Sequence, residues 1–180
     1  LTTKRMFWKG ILGELLWFLR AETNANKLNA MGIKIWNFNS TREYLDSVGL
    51  LDHPEGDCGP IYGFQWRNFM GSYQGCDHDY INHGDGIDQL ANIIHQIKTN
   101  PSSRRLVMSG WNPMQASQMV LPPCHTLYQF YVQDGKLSCQ MYQRSGDLFL
   151  GVPFNIASTA LLTHIIAKLT DLVPSKVILV

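Results

Sequence analysis

Two runs of alternating side chains, Thr126 to Gln133 and Leu137 to Gln143, flank the dipeptide Asp134-Gly135. Asp-Gly is a strong two-residue hairpin signal because both positions tolerate positive φ, and the alternation suits strands with one buried side. A hairpin dictates which residues meet, since positions equidistant from the turn lie opposite each other. Ten positions out from the turn, counting back from Asp134 and forward from Gly135, stand Cys124 and Ser145. The pairing therefore brings a cysteine to the polar run Gln143-Arg144-Ser145-Gly146-Asp147 at one end of a sheet.

The approach to that cysteine is stiff. In Leu121-Pro122-Pro123-Cys124-His125, two prolines hold the backbone extended and remove two amide donors. A third polar piece, Gly151-Val152-Pro153-Phe154-Asn155, follows the cluster. The three pieces are expected to converge on one site with Cys124 as nucleophile. Thiols suit that role because an appreciable fraction is thiolate near neutral pH, and a nearby cation enlarges the fraction. Arg144 could supply the charge. His125 could help, although strand neighbours point to opposite faces, so the pair is not by itself a protease-like dyad. Asp147 and Asn155 add the donors and acceptors needed to read the edge of a planar amide or pyrimidine. Cys139, mid-strand among apolar neighbours, reads as a small core residue.

Length and composition leave room for this site in one domain spanning 1–180. The 180 residues are 45% hydrophobic and 16% charged, a globular balance. Lys and Arg number 15 against 14 Asp and Glu, so net charge favours neither nucleic acid nor an anionic membrane. Four irregularly spaced cysteines with no CxxC pair indicate free thiols in a reducing, cytosolic compartment, and no metal is expected. Apolar runs interrupted by Lys, His or Asn predict no membrane span. The chain opens without Met and stops inside the strand-like Lys176 to Val180, which reads as a fragment.

Apolar residues at three- and four-residue steps predict a helix capped at Thr2 or Thr3, running to about Arg20 and buried on most sides. Glu14 then lies either on a narrow solvated stripe with Lys9 and Arg20, or in a water-excluding surface that raises its pKa for proton relay. Short helices are expected over Asn24 to Met31 and, capped by Thr41, over Arg42 to Val48, with strand-like alternation at Ile33-Lys34-Ile35-Trp36. Leu50 to Gly86 reads as loop with a denser piece at Ile61 to Met70, and Gly75 to Asp85 as a poorly ordered surface excursion whose Asp77, His78, Asp79 and His83 are solvated. A helix over Ile87 to Thr99 presents Leu90, Ile93, Ile94 and Ile97 on one face and leaves His95 on the surface. Arg104-Arg105 stand at the mouth of a strand, Leu106 to Ser109, either solvated or, beside Ser102 and Ser103, binding an oxyanion. A short helix opened by Trp111-Asn112-Pro113 is expected to run to about Met119. Phe154 to Leu172 is expected as a long one, where Asn155 could be a plain cap. This order of helices and antiparallel strands predicts an α+β domain with a mixed sheet.

At these residues the chain resembles thymidylate synthases. The matching blocks are Leu1-Thr2-Thr3-Lys4-Arg5, Glu14-Leu15-Leu16-Trp17-Phe18, Gly59-Pro60-Ile61-Tyr62-Gly63-Phe64-Gln65-Trp66-Arg67, Ser103-Arg104-Arg105, Pro122-Pro123-Cys124-His125, Gln143-Arg144-Ser145-Gly146-Asp147 and Gly151-Val152-Pro153-Phe154-Asn155-Ile156-Ala157-Ser158. The resemblance implies reductive methylation of dUMP to dTMP with 5,10-methylenetetrahydrofolate as carbon and hydride donor. It implies that Cys124 adds to uracil C6, and that Arg144 lowers the thiol pKa and binds phosphate with Gln143 and Ser145. Arg104 and Arg105 would reach the partner's phosphate in a homodimer built on the sheet. Asn155 would read uracil, Asp147 the folate ring, and Glu14 would relay protons. Trp36, Asn39, Gly151 and Phe154 match folate-site positions, and Tyr73 and His125 match positions that assist proton transfer.

The sequence also departs from the family pattern. Asn37-Phe38-Asn39-Ser40 stands where an Asp and glycines are usual, Cys58 replaces a Leu, and Ala21 a Gly. The segments that carry a phosphate-loop arginine and the deoxyribose contacts are not matched, so the chain alone is expected to be inactive. Two other readings stay open: a deoxyuridylate hydroxymethylase of the same fold, and an inactive remnant serving as a binding module.

Overall fold

A computed structural model describes residues 4–180. The expected cap at Thr2 or Thr3 lies outside the described residues. The chain divides into two compact units: one holds Gln89–Ser109 and Cys124–Val180 with the start of the chain through Leu12, the other Gly13–Asp88 and Gly110–Pro123.

The first unit is built on the predicted hairpin. Strands β1 (Val107–Ser109), β2 (His125–Gln133), β3 (Lys136–Gln143) and β4 (Val173–Leu179) lie in that order. The first three pair antiparallel and β4 runs parallel to β3, so the sheet is mixed as expected. Asp134 (φ 51°) and Gly135 (φ 70°) both take the positive φ that a tight hairpin demands. Met108, Tyr128, Phe130, Leu137, Cys139 and Met141 are buried. Helix α7 (Gly151–Leu169) packs on β3 and β4, and α6 (Gln89–Thr99) on β1. Burying a side chain such as Phe130 or Ile166 contributes about 1.5–3 kcal/mol. By length and hydropathy α7 is long and apolar enough to cross a bilayer, where no such span is expected from the sequence, and it buries Ala157, Leu162, Thr163 and Ile166. It begins three residues before the expected Phe154 and ends at Leu169. Gln89 extends β1 sideways: its amide donates to the Ser109 carbonyl (2.8 Å) and accepts from the Ser109 N–H (2.9 Å).

The second unit collects the short helices α2 (Ala25–Ala30), α3 (Arg42–Ser47), α4 (Tyr62–Arg67) and α5 (Tyr80–His83) with most of α1 (Trp8–Leu19). Thr41 caps α3 by accepting from the Tyr44 N–H, as predicted, and Asn24, expected as the first residue of α2, is its cap, accepting from the Asn26 N–H. Trp17, Phe18, Trp36, Tyr62 and Trp66 pack together in its core with ring centroids 4.9–6.1 Å apart, edge to face for Phe18–Trp66 and Trp36–Tyr62 and tilted for Trp17–Trp36 and Phe18–Tyr62. Gly59 (φ 74°) sits so near the Gln118 carbonyl that a Cβ there would lie 2.0 Å from it, so no larger residue fits.

Four expectations in this unit are corrected. Helix α1 starts at Trp8 and is not buried on most sides, because Trp8, Leu12 and Leu16 form an exposed stripe. Ile33 to Trp36 forms turns rather than a strand: Ile33 and Trp36 are buried and the two residues between them exposed, a three-residue spacing. The stretch from Gly75 to Asp85 is no loose excursion. Asp79 caps α5, Cys76 and Tyr80 are buried, and the Tyr80 and Phe64 rings meet edge to face at 4.7 Å. After Asn112 only a single 3-10 turn, Ala116–Gln118, forms, since the Asn112 and Gln115 side chains are drawn into an amide network with the buried Gln65.

Candidate active site

In the first unit the hairpin delivers its cysteine with one adjustment. From Gln133↔Lys136 to Leu127↔Tyr142 the partners advance in step, but His125 pairs with Gln143 across a bulge at Thr126. Continued without the bulge, the register would set Cys124 against Ser145. With it, the Arg144 N–H donates to the Cys124 carbonyl at 2.9 Å. Cys124 is half-buried, while Arg144 and Ser145 are exposed. The bulge also turns His125 and Tyr128, three residues apart, toward the same buried side.

A polar chain runs from that side. The Tyr128 hydroxyl lies 3.0 Å from His125 Nδ1, and His125 hydrogen-bonds the Asn155 side chain. Burial holds the His125 pKa down at about 4, so its imidazole is neutral at physiological pH. Gln143 Nε2 donates to Asn155 Oδ1 (2.8 Å) and to the Ser145 carbonyl (2.9 Å). A Cβ at Gly146 would come within 2.6 Å of that Nε2, so the glycine keeps room for the Gln143 amide. Asn155 is therefore no helix cap. It lies inside α7, and the N-terminus of that helix is served instead by Asp147.

The Asp147 carboxylate accepts from the N–H groups of Phe149 (2.8 Å) and Leu150 (2.6 Å), and its carbonyl from Gly151 and Val152. Those backbone bonds hold its carboxyl below the usual range. Between Asp147 and Gly151 stand Leu148, Phe149 and Leu150, each at least 63% exposed, an apolar run that needs a cover. The ammonium of Lys4 lies on it, 4.7 Å from the Phe149 ring and 5.9 Å from that of Phe154. Arg104 and Arg105 are exposed just before β1.

In the second unit Glu14 is not on a solvated stripe. Trp36 Nε1 donates to its Oε1 at 2.8 Å, and burial raises its pKa to about 7 despite that bond. Asn39 is half-buried in a 3-10 turn, Phe38–Ser40, and the neighbouring Phe38 is 73% exposed. Tyr73 is spent internally: its hydroxyl donates to the buried Asp57 (2.5 Å), so Thr23, 2.9 Å away, donates to it. Burial and the Asp57 charge push its pKa far up.

Sequence reasoning missed Tyr128, Lys4 and Asp57. Tyr128 was hidden by strand parity, which puts residues three apart on opposite faces and is reversed only by the bulge. Asp57, in Gly56-Asp57-Cys58-Gly59, carried no signal beyond its place in a loop. Among the described residues no group of His, Cys, Asp and Glu could hold a metal ion.

The thymidylate synthase family model matches residues 1–180. The chain is 60% identical to a thymidylate synthase of Ascaris suum over 96% of its own length and 58% of that protein's. It is 57% identical to a human thymidylate synthase over 99% of its length and 56% of the human protein's. It is 56% identical to a bifunctional dihydrofolate reductase-thymidylate synthase of Glycine max, of which it covers 33%. The chain thus spans little more than half the length of the single-function relatives it matches, and by the family model and these identities it belongs to the thymidylate synthase family.

Proposed function

We propose that the protein carrying this chain reductively methylates dUMP to dTMP. The observation that carries the reading is the bulged hairpin: it sets Cys124 directly across from Arg144, beside an Asn155 amide held by Gln143. Cys124 adds as thiolate to uracil C6, which leaves C5 electron-rich, and the same sulfur departs when the product forms. Arg144 and Ser145, exposed on the strand end next to it, bind the nucleotide phosphate, with Gln143 orienting the cluster. Asn155 reads the uracil edge by accepting from N3–H and donating to O4. His125 assists as a neutral imidazole.

5,10-Methylenetetrahydrofolate supplies the carbon and the hydride. The residues present suit it: Leu148, Phe149, Leu150 and Phe154 offer an apolar wall for aromatic rings, and Asp147 and Gly151 stand at its two ends. Trp36 and Asn39 are further folate contacts. Glu14, protonated about half the time near pH 7, relays protons. Tyr73, its hydroxyl engaged by Asp57, acts on proton transfer only through that carboxylate. The open face of the sheet, with Gln129, Tyr131 and Ile178, meets a second copy, and Arg104 and Arg105 reach that copy's phosphate site.

The test is covalent capture. The intact protein with 5-fluoro-dUMP and the folate should give a ternary adduct by mass spectrometry, lost in Cys124→Ser, and turnover of dUMP should yield dihydrofolate. A wild type that forms neither adduct nor dihydrofolate overturns the reading. A hydroxymethyl product without dihydrofolate would replace it with the water-terminated reaction.

A further inference from the structure

Between Asn112 and Val120 the second unit has little regular backbone structure, a single 3-10 turn over Ala116–Gln118. Three side-chain amides hold this stretch instead, and backbone groups of fixed polarity orient all three. The Pro60 carbonyl can only accept, so the Gln65 atom 2.7 Å from it is Nε2. The Gly71 carbonyl likewise fixes Gln115 Nε2 at 2.8 Å, and the Met114 N–H fixes Asn112 Oδ1 at 3.1 Å. The other ends of the amides then match in polarity. Gln115 Oε1 accepts from Gln65 Nε2 and from Asn112 Nδ2, both at 2.9 Å, and Gln65 Oε1 accepts from Asn112 Nδ2 at 3.2 Å. Gln65 is fully buried and Asn112 only 2% exposed, so a broken link leaves a polar group that water does not satisfy.

Just past this knot the Val120 N–H donates to the Cys58 carbonyl at 3.2 Å, and Met119 and Val120 are buried. Leu121-Pro122-Pro123 then runs stiffly into Cys124. We propose that Gln65, Asn112 and Gln115 are positioning residues for the nucleophile: they fix the course of the chain over 112–123, and so the placement in which Cys124 leaves Pro123. The inference rests on Cys124 being the nucleophile of the proposed reaction. Gln115 is the member to probe, since it is half-buried and joins Gln65, Asn112 and Gly71. Gln115→Met keeps the length of the side chain but removes the acceptor of two N–H groups and the link to Gly71. Gln115→Glu separates hydrogen bonding from filling of space. Its carboxylate still accepts from Gln65 and Asn112 but sets an oxygen against the Gly71 carbonyl. Once protonated, its O–H donates to that carbonyl and the network closes again.

The experiment times formation of the adduct of Cys124 with 5-fluoro-dUMP and 5,10-methylenetetrahydrofolate in the intact protein, alongside hydrogen exchange over 112–119 and noncovalent dUMP affinity. Gln115→Met should slow adduct formation roughly five- to thirtyfold and quicken exchange over 112–119. Its dUMP affinity should change by less than about twofold, because the network acts on the reacting sulfur and not on the phosphate contacts. Gln115→Glu should be as slow near pH 8 and approach the wild-type rate as pH falls toward about 5, each rate being taken relative to wild type at the same pH. A Gln115→Met protein with loosened 112–119 amides and an unchanged adduct rate overturns the proposal. So do amides that stay fully protected in that variant, or a Glu variant without the recovery. Should neither variant fold, wild type decides: amides over 112–119 protected as firmly as those of α4 support the proposal, and free exchange there overturns it. A wild type that forms no adduct fails at the reading of Cys124, and the proposal falls with it, whereas slow adduct formation confined to the variants leaves that reading intact.

Discussion

At the scale of single residues, environment separates groups that look alike in sequence. Glu14 and Asp147 are both carboxylates near a helix, yet burial pushes one up to about 7 while backbone N–H groups pull the other down. The sign for Glu14 follows from linkage. Its folded pKa exceeds the ordinary value of 4.5, so the folded state holds its proton more tightly. Its contribution is fully present below pH 4.5 and is lost as pH rises through 7. Glu14→Gln keeps an acceptor for Trp36 Nε1 without the buried charge. The variant should match wild type in stability near pH 4.5 and exceed it by about 1–3 kcal/mol at pH 8, measured by urea denaturation at both. Wild-type turnover should depend on pH near 7, and that of the variant should lose this dependence. Equal stability at pH 8 would count against a buried, raised Glu14. The sequence carried both readings of Glu14 and could not choose, because the choice lies with burial, which local pattern does not reveal.

At the scale of elements, the hairpin was legible and its bulge was not. Turn chemistry and alternation are local, and they located β2 and β3 to within a residue or two. The extra residue at Thr126 is a compromise between strand pairing and what each side chain must face, and alternation alone does not reveal it. Deleting Thr126, the unpaired residue, makes the ladder regular while leaving His125 opposite Gln143 and Cys124 opposite Arg144. The variant should keep its far-UV circular dichroism and the 5-fluoro-dUMP adduct; loss of the adduct in a folded variant would show that the bulged backbone, and not the pairing of Cys124 with Arg144, positions the thiol. Helix α7 carries the same lesson. Asn155 read as a cap because Pro153 seemed to mark the start, whereas Asp147 gathers the free N–H groups and starts the helix at Gly151. Proline is tolerated there, since the first-turn N–H groups lack helical partners in any case.

At the scale of the whole molecule, the sheet has one face under α7 and another that displays Gln129, Tyr131, Gln140 and Ile178 beside a cavity of about 580 Å³. If a second copy covers that face, Tyr131→Glu with Ile178→Glu should convert a dimer to a monomer in size-exclusion chromatography with light scattering, and should weaken nucleotide binding as Arg104 and Arg105 lose their counterpart. A variant that stays dimeric would assign the interface elsewhere. The sequence by itself determined the mixed α+β character, the hairpin and the cap at Thr41, because each depends on turn propensity, periodicity or residue chemistry within a few positions. Only the tertiary structure decided that Glu14 is desolvated, that Tyr73 is tied to Asp57, that Gly75 to Asp85 is pinned through Tyr80, and that Tyr128 stands behind His125. Those outcomes turn on dielectric environment and hydrogen-bond partners supplied by residues distant in the chain, or on a one-residue slip in register, and no local pattern carries either.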